Sequence, residues 1–149
     1  GIVGLVGITP GAGYVPIWAA FIIGITSAPV CYFMISKIKA KLGYDDALDA
    51  FGCHGVGGIW GGIMTGVFST SSVNPAVPNE GLIFGDYRLF LSQISATALS
   101  IAIAVVITFI IMTLLKVAGG IRVEAIEESE GLDSTEHGER AYPAFDGLD

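Results

Sequence analysis

The sequence predicts an all-α protein, a polytopic bundle of transmembrane helices followed by an acidic tail. Of its 149 residues, 52% are hydrophobic and only 14% are charged, whereas soluble domains are about one quarter charged. The charge is also uneven. Residues 118–149 carry nine acidic and two basic side chains, a net charge of −7, and residues 1–117 carry five of each. Long uncharged stretches in these first residues are typical of membrane spans.

The same composition argues against other classes of protein. A nucleic-acid-binding domain needs a basic face, and this chain is acidic overall. Two cysteines, Cys31 and Cys53, are too few for a disulfide scaffold. We therefore expect a membrane protein that binds no nucleic acid, needs no cofactor and is not an enzyme.

The region before the tail divides into a short apolar end and three longer apolar segments. Residues 1–9 are apolar but too short to cross a bilayer, and we interpret them as the last turns of a helix that begins outside the sequence. Because the first residue is Gly and no signal peptide precedes it, we expect the chain to be the C-terminal fragment of a larger protein. The expected helices cover about 15–36, 45–68 and 88–115 within the transmembrane region 1–117, and the tail covers 118–149.

The first and third spans have the composition of lipid-compatible helices. No charge occurs in residues 1–36, and residues 15–35 are long enough to cross a hydrocarbon core of about 30 Å. Pro16 suits the first position of a helix, and Pro29 predicts a kink. The third span is rich in Ile, Ala, Val and Thr and is longer than the core, so we expect it to tilt or protrude.

The second span contains seven glycines within fifteen residues. Glycine costs about 1 kcal/mol relative to Ala inside a helix, so this helix is favoured only where bare backbone approaches a neighbour or leaves space beside itself. The glycines form two faces of small residues four positions apart, one with Gly57 and Gly61 and one with Gly58, Gly62 and Gly66. We therefore expect a helix buried within the bundle, not one facing lipid.

His54 and Asp49 are the ionisable candidates in this span. If the helix begins near Asp45, with Asp45 as its N-cap, His54 lies about 14 Å along it, near the middle of the membrane. An ionisable side chain at that depth indicates a functional site. The alternative is a neutral imidazole that hydrogen-bonds a neighbouring helix. Asp49, nearer the cytoplasm, either contributes to the site or caps and bridges helix ends at the membrane surface.

Basic residues set the expected orientation of the spans. Lys37, Lys39 and Lys41 lie between the first two spans, and Lys116 and Arg122 follow the third. Three spans place both groups on the same side, and basic loops favour the cytoplasm. We therefore expect a multi-pass protein of the inner (plasma) membrane with a cytoplasmic C-terminus.

No metal centre or catalytic constellation emerges from the sequence. Cys53 and His54 are adjacent, so on a helix their side chains point about 100° apart and cannot hold one ion. Cys31 and His137 lie in other segments, and no spacing typical of metal ligands connects them. No paired nucleophile and base is evident either.

Three ordered motifs together span nearly the whole chain. The first is residues 4–15 (GLVGITPGAGYV), the second is residues 49–66 (DAFGCHGVGGIWGGIMTG), and the third lies in the tail at residues 130–142. They resemble, in this order, the segment before the ninth helix, the histidine-bearing tenth helix and the cytoplasmic tail motif of the ammonium transporter family (Amt/Mep/Rh), and most of all its bacterial and archaeal Amt branch. The residues that match the tail motif are Gly131, Leu132, Asp133, His137, Gly138, Glu139 and Tyr142.

The resemblance implies the last three of eleven helices of a homotrimer in which each subunit has its own narrow apolar pore. Two histidines meet in that pore; His54 matches the second, and the first belongs to the fifth helix, outside this sequence. Ala50 matches a position at the inner end of the pore. The resemblance also implies a tail that docks on the cytoplasmic face, with a trimeric PII signalling protein as partner. Cys53 departs from the family pattern, which has an aliphatic residue there.

An apolar pore with histidines suits ammonium for a physical reason. Moving a small ion into a medium of low dielectric constant costs of order 20 kcal/mol before compensation, and neutral ammonia escapes that cost. We therefore expect ammonium to lose its proton outside, ammonia to pass His54, and the proton to cross separately. Two alternatives stay open: an electroneutral gas channel of the Rh type, and an ammonium sensor that signals through the tail.

Overall fold

The structure, a computed structural model, describes residues 1–139 and contains helices, turns and loops within that range. The all-α prediction is confirmed. Helix α1 covers Ile2–Ile8 and runs into a 3-10 turn, Thr9–Gly11. Helix α2 covers Ile17–Phe33, a π-helical segment Met34–Lys39 and a last turn Ala40–Leu42. Helix α3 joins a π-helical turn, Phe51–Gly55, to an α-helix, Val56–Phe68.

The second half of the chain is simpler. A 3-10 turn, Leu82–Phe84, precedes the long helix α4, Arg88–Ala118. Two short helices follow, α5 at Ala125–Glu130 and α6 at Leu132–Thr135. The chain forms two compact units, residues 1–104 and the residues from 105 onward, and α4 contributes to both.

Two of the described helices, Ile17–Leu42 and Arg88–Ala118, are long and apolar enough to cross a membrane. The first continues six residues beyond the predicted end at residue 36, and it stops where Gly43 adopts a φ of 65°. The segment predicted at 45–68 is not among the two. The first residues of this segment form a loop instead of a helix. The many glycines in its helical part contribute little to its mean hydropathy.

The core of the first unit lies where α2 packs against the end of α1 and the end of α3. Ala19 and Ile23 of α2 are fully buried together with Val15, which precedes the helix. Phe68 at the end of α3 packs against this cluster and makes an edge-to-face contact with the ring of Trp18, with 5.5 Å between ring centroids. Close packing of these side chains contributes to holding the three helices together.

At their crossing, α1, α2 and α3 approach one another through glycines. A Cβ at Gly61 would collide with the carbonyl oxygen of Gly7, and a Cβ at Gly7 would collide with the hydroxyl of Ser27. Ser27 is fully buried, and its hydroxyl donates to the carbonyl of Ile23 over 2.7 Å. Backbone therefore lies directly on backbone here, as expected for helices packed through small residues.

The other glycine face of α3 meets α4. A Cβ at Gly62 would lie 3.1 Å from Oγ1 of Thr97, and one at Gly66 would lie 2.9 Å from Cα of Phe90. The prediction that bare backbone of α3 lies against its neighbours is thus confirmed for both faces. Gly58 follows the other alternative, space beside the helix, because no atom of another described segment would come within 4 Å of a Cβ there.

The loop after α3 is tied back to the loop after α1. The amide of Thr70 donates to the carbonyl of Tyr14 over 3.0 Å, and the amide of Gly81 donates to the carbonyl of Ser69 over 2.7 Å. The Glu80 carboxylate accepts from the amide and the hydroxyl of Ser71. These hydrogen bonds from Ser71 hold the pKa of Glu80 below its usual value.

The glycine crossing makes a prediction about stability. Gly61→Ala should lower the free energy of unfolding by about 1–3 kcal/mol, the usual cost of overpacking, because the new Cβ meets the Gly7 carbonyl. Gly58→Ala, on the same helix, is the matched control and should raise it by up to about 1 kcal/mol, since Ala favours the helix. Unfolding in SDS followed by circular dichroism measures both, and a Gly61→Ala variant as stable as its control would contradict the crossing.

The Glu80 contacts predict how the loop responds to pH. Because the folded pKa of Glu80 lies below its unfolded value, its stabilising effect is present above the unfolded pKa and is lost as pH falls through the folded one. The NMR shift of the Ser71 amide should therefore titrate with a midpoint below 4.5, the ordinary value for the carboxyl. Glu80→Gln should remove the transition, and a midpoint at or above 4.5 in the wild type would refute the contact.

Candidate functional site

His54 lies in the π-helical turn that opens α3, and its side chain is exposed on the surface of the described chain. Ala50, also exposed, is four residues earlier on the same face of the helix. Within residues 1–139 the imidazole makes no hydrogen bond, so no described carbonyl or hydroxyl fulfils the alternative of an imidazole bonded to a neighbouring helix. The imidazole of His54 is therefore available to contact a further segment on this side of α3.

The start of α3 differs from the prediction, and with it the estimated position of His54. The helix begins at Ala50 and Phe51, not near Asp45, so His54 lies within its first turn. The depth of about 14 Å counted from Asp45 is therefore wrong as a distance along the helix. The physical reason is that the residues before Ala50 form a loop whose last member, Asp49, adopts a φ of 54°, a conformation that interrupts helix.

Asp46, and not Asp45, supplies the acceptors for the start of α3. Its Oδ1 accepts from the amide of Ala50 over 2.8 Å, and its Oδ2 accepts from the amide of Phe51 over 3.0 Å. The first amides of a helix have no partner within the helix, and a carboxylate beside them is favoured by the helix dipole as well. Asp46 therefore stabilises the turn that carries His54.

Lys39 ties this loop to α2. Its ammonium group donates to the carbonyl of Asp46 and to Oδ1 of Asp49, each over 2.6 Å. Asp49 thus bridges two helix ends, which is the structural alternative raised from the sequence. Its carboxylate is about one third exposed, so the ion pair is partly screened by solvent. Sequence inspection missed this contact, although a lysine and an aspartate of opposite charge across a short loop are a signal for it.

The two π-helical segments pack on each other beneath this loop. Ile35 of α2 lies so close to Gly52 that a Cβ there would collide with its side chain. The ring of Phe51 lies over Gly55 and meets the ring of Tyr44 edge-to-face, with 5.9 Å between centroids. π-Helical turns occur often at functional sites, and here the wider turn accommodates the ring of Phe51 on the glycine backbone.

A hydrogen bond joins α2 and α3 further along. The indole of Trp60 donates to Oγ1 of Thr26 over 3.1 Å, and the Thr26 hydroxyl donates to the carbonyl of Ile22 over 2.7 Å. A buried indole N–H needs an acceptor, and the threonine supplies one from the facing helix. The sequence pairs neither residue, because they are 34 positions apart.

The tail forms two short helices separated by Gly131, which adopts a φ of 96°. Gly138 has a φ of 65°, so both positions have a backbone conformation that favours glycine. The amide of His137 donates to the carbonyl of Leu132, and that of Glu139 donates to the carbonyl of Asp133. Tyr142, the last residue assigned to the tail motif, lies outside the described residues.

In the described part of the tail, Arg122 and Glu128 form an ion pair through two hydrogen bonds. Nε and Nη2 of Arg122 donate to the carboxylate of Glu128 over 3.0 and 2.6 Å. This guanidinium holds the pKa of Glu128 below its usual value. Glu124 and Glu127 form a capping box at the start of α5. The described part of the tail thus consists of two short helices with a glycine between them.

Among residues 1–139 no group of three or more His, Cys, Asp or Glu side chains could hold a metal ion. The candidate site consists of His54 and Ala50, both exposed on one face of α3, and contacts of Asp46, Lys39 and Asp49 hold the start of this helix. Chemically, it offers one imidazole, with a donor and an acceptor nitrogen when neutral, on an otherwise apolar helix.

Several known proteins similar to this chain are ammonium transporters by name. A sequence model of the Ammonium Transporter Family matches residues 1–142. An ammonium transporter of Bacillus subtilis is 50% identical over 95% of this chain, and Amt1 of Archaeoglobus fulgidus is 40% identical over the same share. The chain covers 35% of each of them. The crystal structure of Saccharomyces cerevisiae Mep2 matches 84% of the chain, and 29% of Mep2, with a TM-score of 0.76 and 34% identity.

The Asp46 cap predicts the local stability of the site. Asp46→Ala should remove both acceptors and destabilise the first turn of α3 by about 1 kcal/mol. Amide exchange at Ala50 and Phe51 should therefore become about fivefold faster. Asp46→Asn keeps one acceptor oxygen and is the control, with a smaller effect. Equal exchange in wild type and Asp46→Ala, measured by mass spectrometry, would show that the cap does not stabilise the turn.

Proposed function

The chain belongs to the ammonium transporter family, and we propose that it forms the part of a transporter subunit that supplies one of two pore histidines, His54. It spans about a third of the length of the curated relatives that it matches. The observation that carries the proposal is the exposed imidazole of His54 on the apolar helix α3, without a hydrogen-bonding partner among the described residues. Such a side chain in a membrane protein indicates a site on a transport pathway.

The surroundings of His54 support a narrow passage beside α3. Ala50 lies one turn away on the same face and leaves room next to the imidazole. The contacts of Asp46 and Lys39 hold the start of α3, so the backbone that carries the imidazole of His54 is fixed. The missing wall of the passage, with the first histidine, would come from the helices that this chain lacks and the relatives have.

The mechanism follows from the cost of burying charge. An ammonium ion loses its hydration in a dry pore at a cost of order 20 kcal/mol. Potassium faces the same desolvation cost, and it has no proton to lose and so cannot become neutral. Ammonium is therefore deprotonated before the pore, and ammonia passes the histidines. A neutral imidazole offers the passing molecule one donor and one acceptor. The proton crosses separately, and a histidine pair is suited to carry it.

The assembly and orientation follow the family pattern. Three subunits form a homotrimer in the bilayer of the cell membrane, each with its own pore for nitrogen uptake. The Lys39 end of α2 and the acidic tail face the cytoplasm, because basic residues favour that side. The tail motif at residues 131–142 then lies where a trimeric PII-type protein binds, and the bends at Gly131 and Gly138 shape that surface.

The test is transport by the full-length transporter that contains this chain, reconstituted into liposomes on a solid-supported membrane. An ammonium pulse should give a transient current, and a potassium pulse should give none. His54→Ala should abolish the ammonium current or let potassium pass, because the polar contact in the dry pore is lost. Thr113→Ala, a polar-to-alanine change on the exposed surface of α4, is the control and should leave both responses unchanged.

Other outcomes separate the alternatives. Rapid alkalinisation of the vesicle interior after an ammonium pulse, without any current, would replace electrogenic transport by an electroneutral channel. Ammonium binding with neither current nor alkalinisation would leave only a sensor. A His54→Ala protein that folds and transports like the wild type would remove His54 from the pathway.

A further inference from the structure

A pocket of about 390 Å³ lies at the end of α3 opposite to His54. Its walls come from the loop after α1, the end of α3, the loop at residues 76–78 and the start of α4, and all of these belong to the first compact unit. Four polar side chains line the pocket: Tyr14, Thr65, Ser69 and Gln93. The pocket is therefore formed from residues of this chain.

The loop that forms one wall of this pocket is held in place by hydrogen bonds. The amide of Val77 donates to the carbonyl of Asn74 over 3.0 Å, and the amide of Thr70, at the start of the loop, donates to the carbonyl of Tyr14 over 3.0 Å. Val77 and the neighbouring Pro78 both line the pocket. Their apolar surface therefore belongs to the same pocket as the hydroxyl and amide groups.

Two of the polar side chains are almost fully buried and still have hydrogen-bonding capacity. Thr65 is 5% exposed, and its hydroxyl donates to the carbonyl of Gly61 over 2.8 Å, so its oxygen remains as an acceptor. Ser69 is 1% exposed. Within residues 1–139, neither its hydroxyl nor the side-chain amide of Gln93 has a hydrogen-bonding partner. A buried hydroxyl without a partner costs free energy, and a molecule bound in the pocket would remove that cost.

The lining also determines the kind of molecule that fits. Every residue that lines the pocket is uncharged, so an ion would lose its hydration there without gaining a counter-charge. The oxygen of Thr65 needs a donor from the ligand, because the proton of its own hydroxyl is already used. Ser69 and Gln93 can each donate and accept. The matching ligand is uncharged and carries several groups that both donate and accept, which is a property of hydroxyl groups.

We propose that this pocket binds a small uncharged polyol of the size of a monosaccharide. Its hydroxyls pair with Thr65, Ser69 and Gln93, and its C–H groups pack on the apolar surface of Val77 and Pro78. The volume would hold about a dozen water molecules at about 30 Å³ each, which is ample for one sugar ring with its hydroxyls. The site lies away from His54 and does not depend on the proposed transport function.

The experiment is saturation-transfer NMR with glucose on the full-length transporter that contains this chain, in a detergent without a sugar headgroup. The wild type should show saturable transfer to the C–H protons of glucose. Ser69→Ala and Gln93→Leu should each weaken binding by about tenfold, because each removes a hydrogen-bonding partner of the ligand. Ser95→Ala is the matched control. Its hydroxyl donates to the carbonyl of Leu91 on the exposed surface of α4, so its loss should leave glucose binding unchanged.

A further variant separates loss of the pocket from loss of the fold. Ala76, an exposed loop residue, lines the pocket, and Ala76→Leu narrows it without removing a polar group. This variant should also weaken glucose binding, and its helix content and elution volume should match those of the wild type. Glucuronate, an anionic analogue of glucose of similar size, should bind at least about tenfold more weakly than glucose, because the lining offers the carboxylate no positive charge.

Three outcomes would overturn the proposal. They are the absence of saturable glucose binding in the wild type, unchanged binding in both Ser69→Ala and Gln93→Leu, and equal binding of glucose and glucuronate. The measurement needs no ammonium, so its result is independent of the transport test of His54.

Discussion

The direct contact of backbone with backbone between α1 and α3 is the constraint on which the first unit depends. Gly61 of α3 lies against the carbonyl of Gly7, and Gly7 in turn leaves room for the buried Ser27 of α2. Within a bilayer, apolar burial contributes little to helix association. Close packing through small residues therefore supplies the attraction between the helices. The seven glycines cost helix propensity, and the close approach of three helices compensates for that cost.

The same packing determines how the site is presented. With α2 and α3 in contact at Cys31 and Gly57, their ends also meet, and Ile35 packs on Gly52. Lys39 can then reach the loop before α3 and hold it through the carbonyl of Asp46 and the carboxylate of Asp49. His54 follows within one turn. The imidazole of His54 is therefore exposed on a helix that is held both at its glycine face and at its first turn.

A dry pore discriminates by the energy of desolvation, and the positions of the polar groups in this chain agree with that principle. The charged side chains of the first unit lie in loops and at helix ends, whereas α3 contains only uncharged residues apart from the titratable His54. Where charge does occur at the base of α3, it is paired: Lys39 with Asp49, and Asp46 with two amides. Within Phe51–Phe68, His54 is the residue whose side chain carries a titratable nitrogen.

Composition and pattern alone were enough to predict a helical membrane protein and the close approach of α3 to its neighbours through glycine, because each depends on local chemistry: long uncharged runs and the cost of glycine. The role of His54 stays a prediction. Composition and pattern placed the start of α3 wrongly, since Asp45 and Asp46 are equivalent by sequence and only the fold decides which carboxylate reaches the free amides. The role of Asp49 stayed open for the same reason, and its partner Lys39 was found only in the structure. The contacts of Cys31 with Gly57 and of Ile35 with Gly52 likewise arise from the antiparallel packing of α2 on α3, a property of tertiary structure that no local pattern encodes.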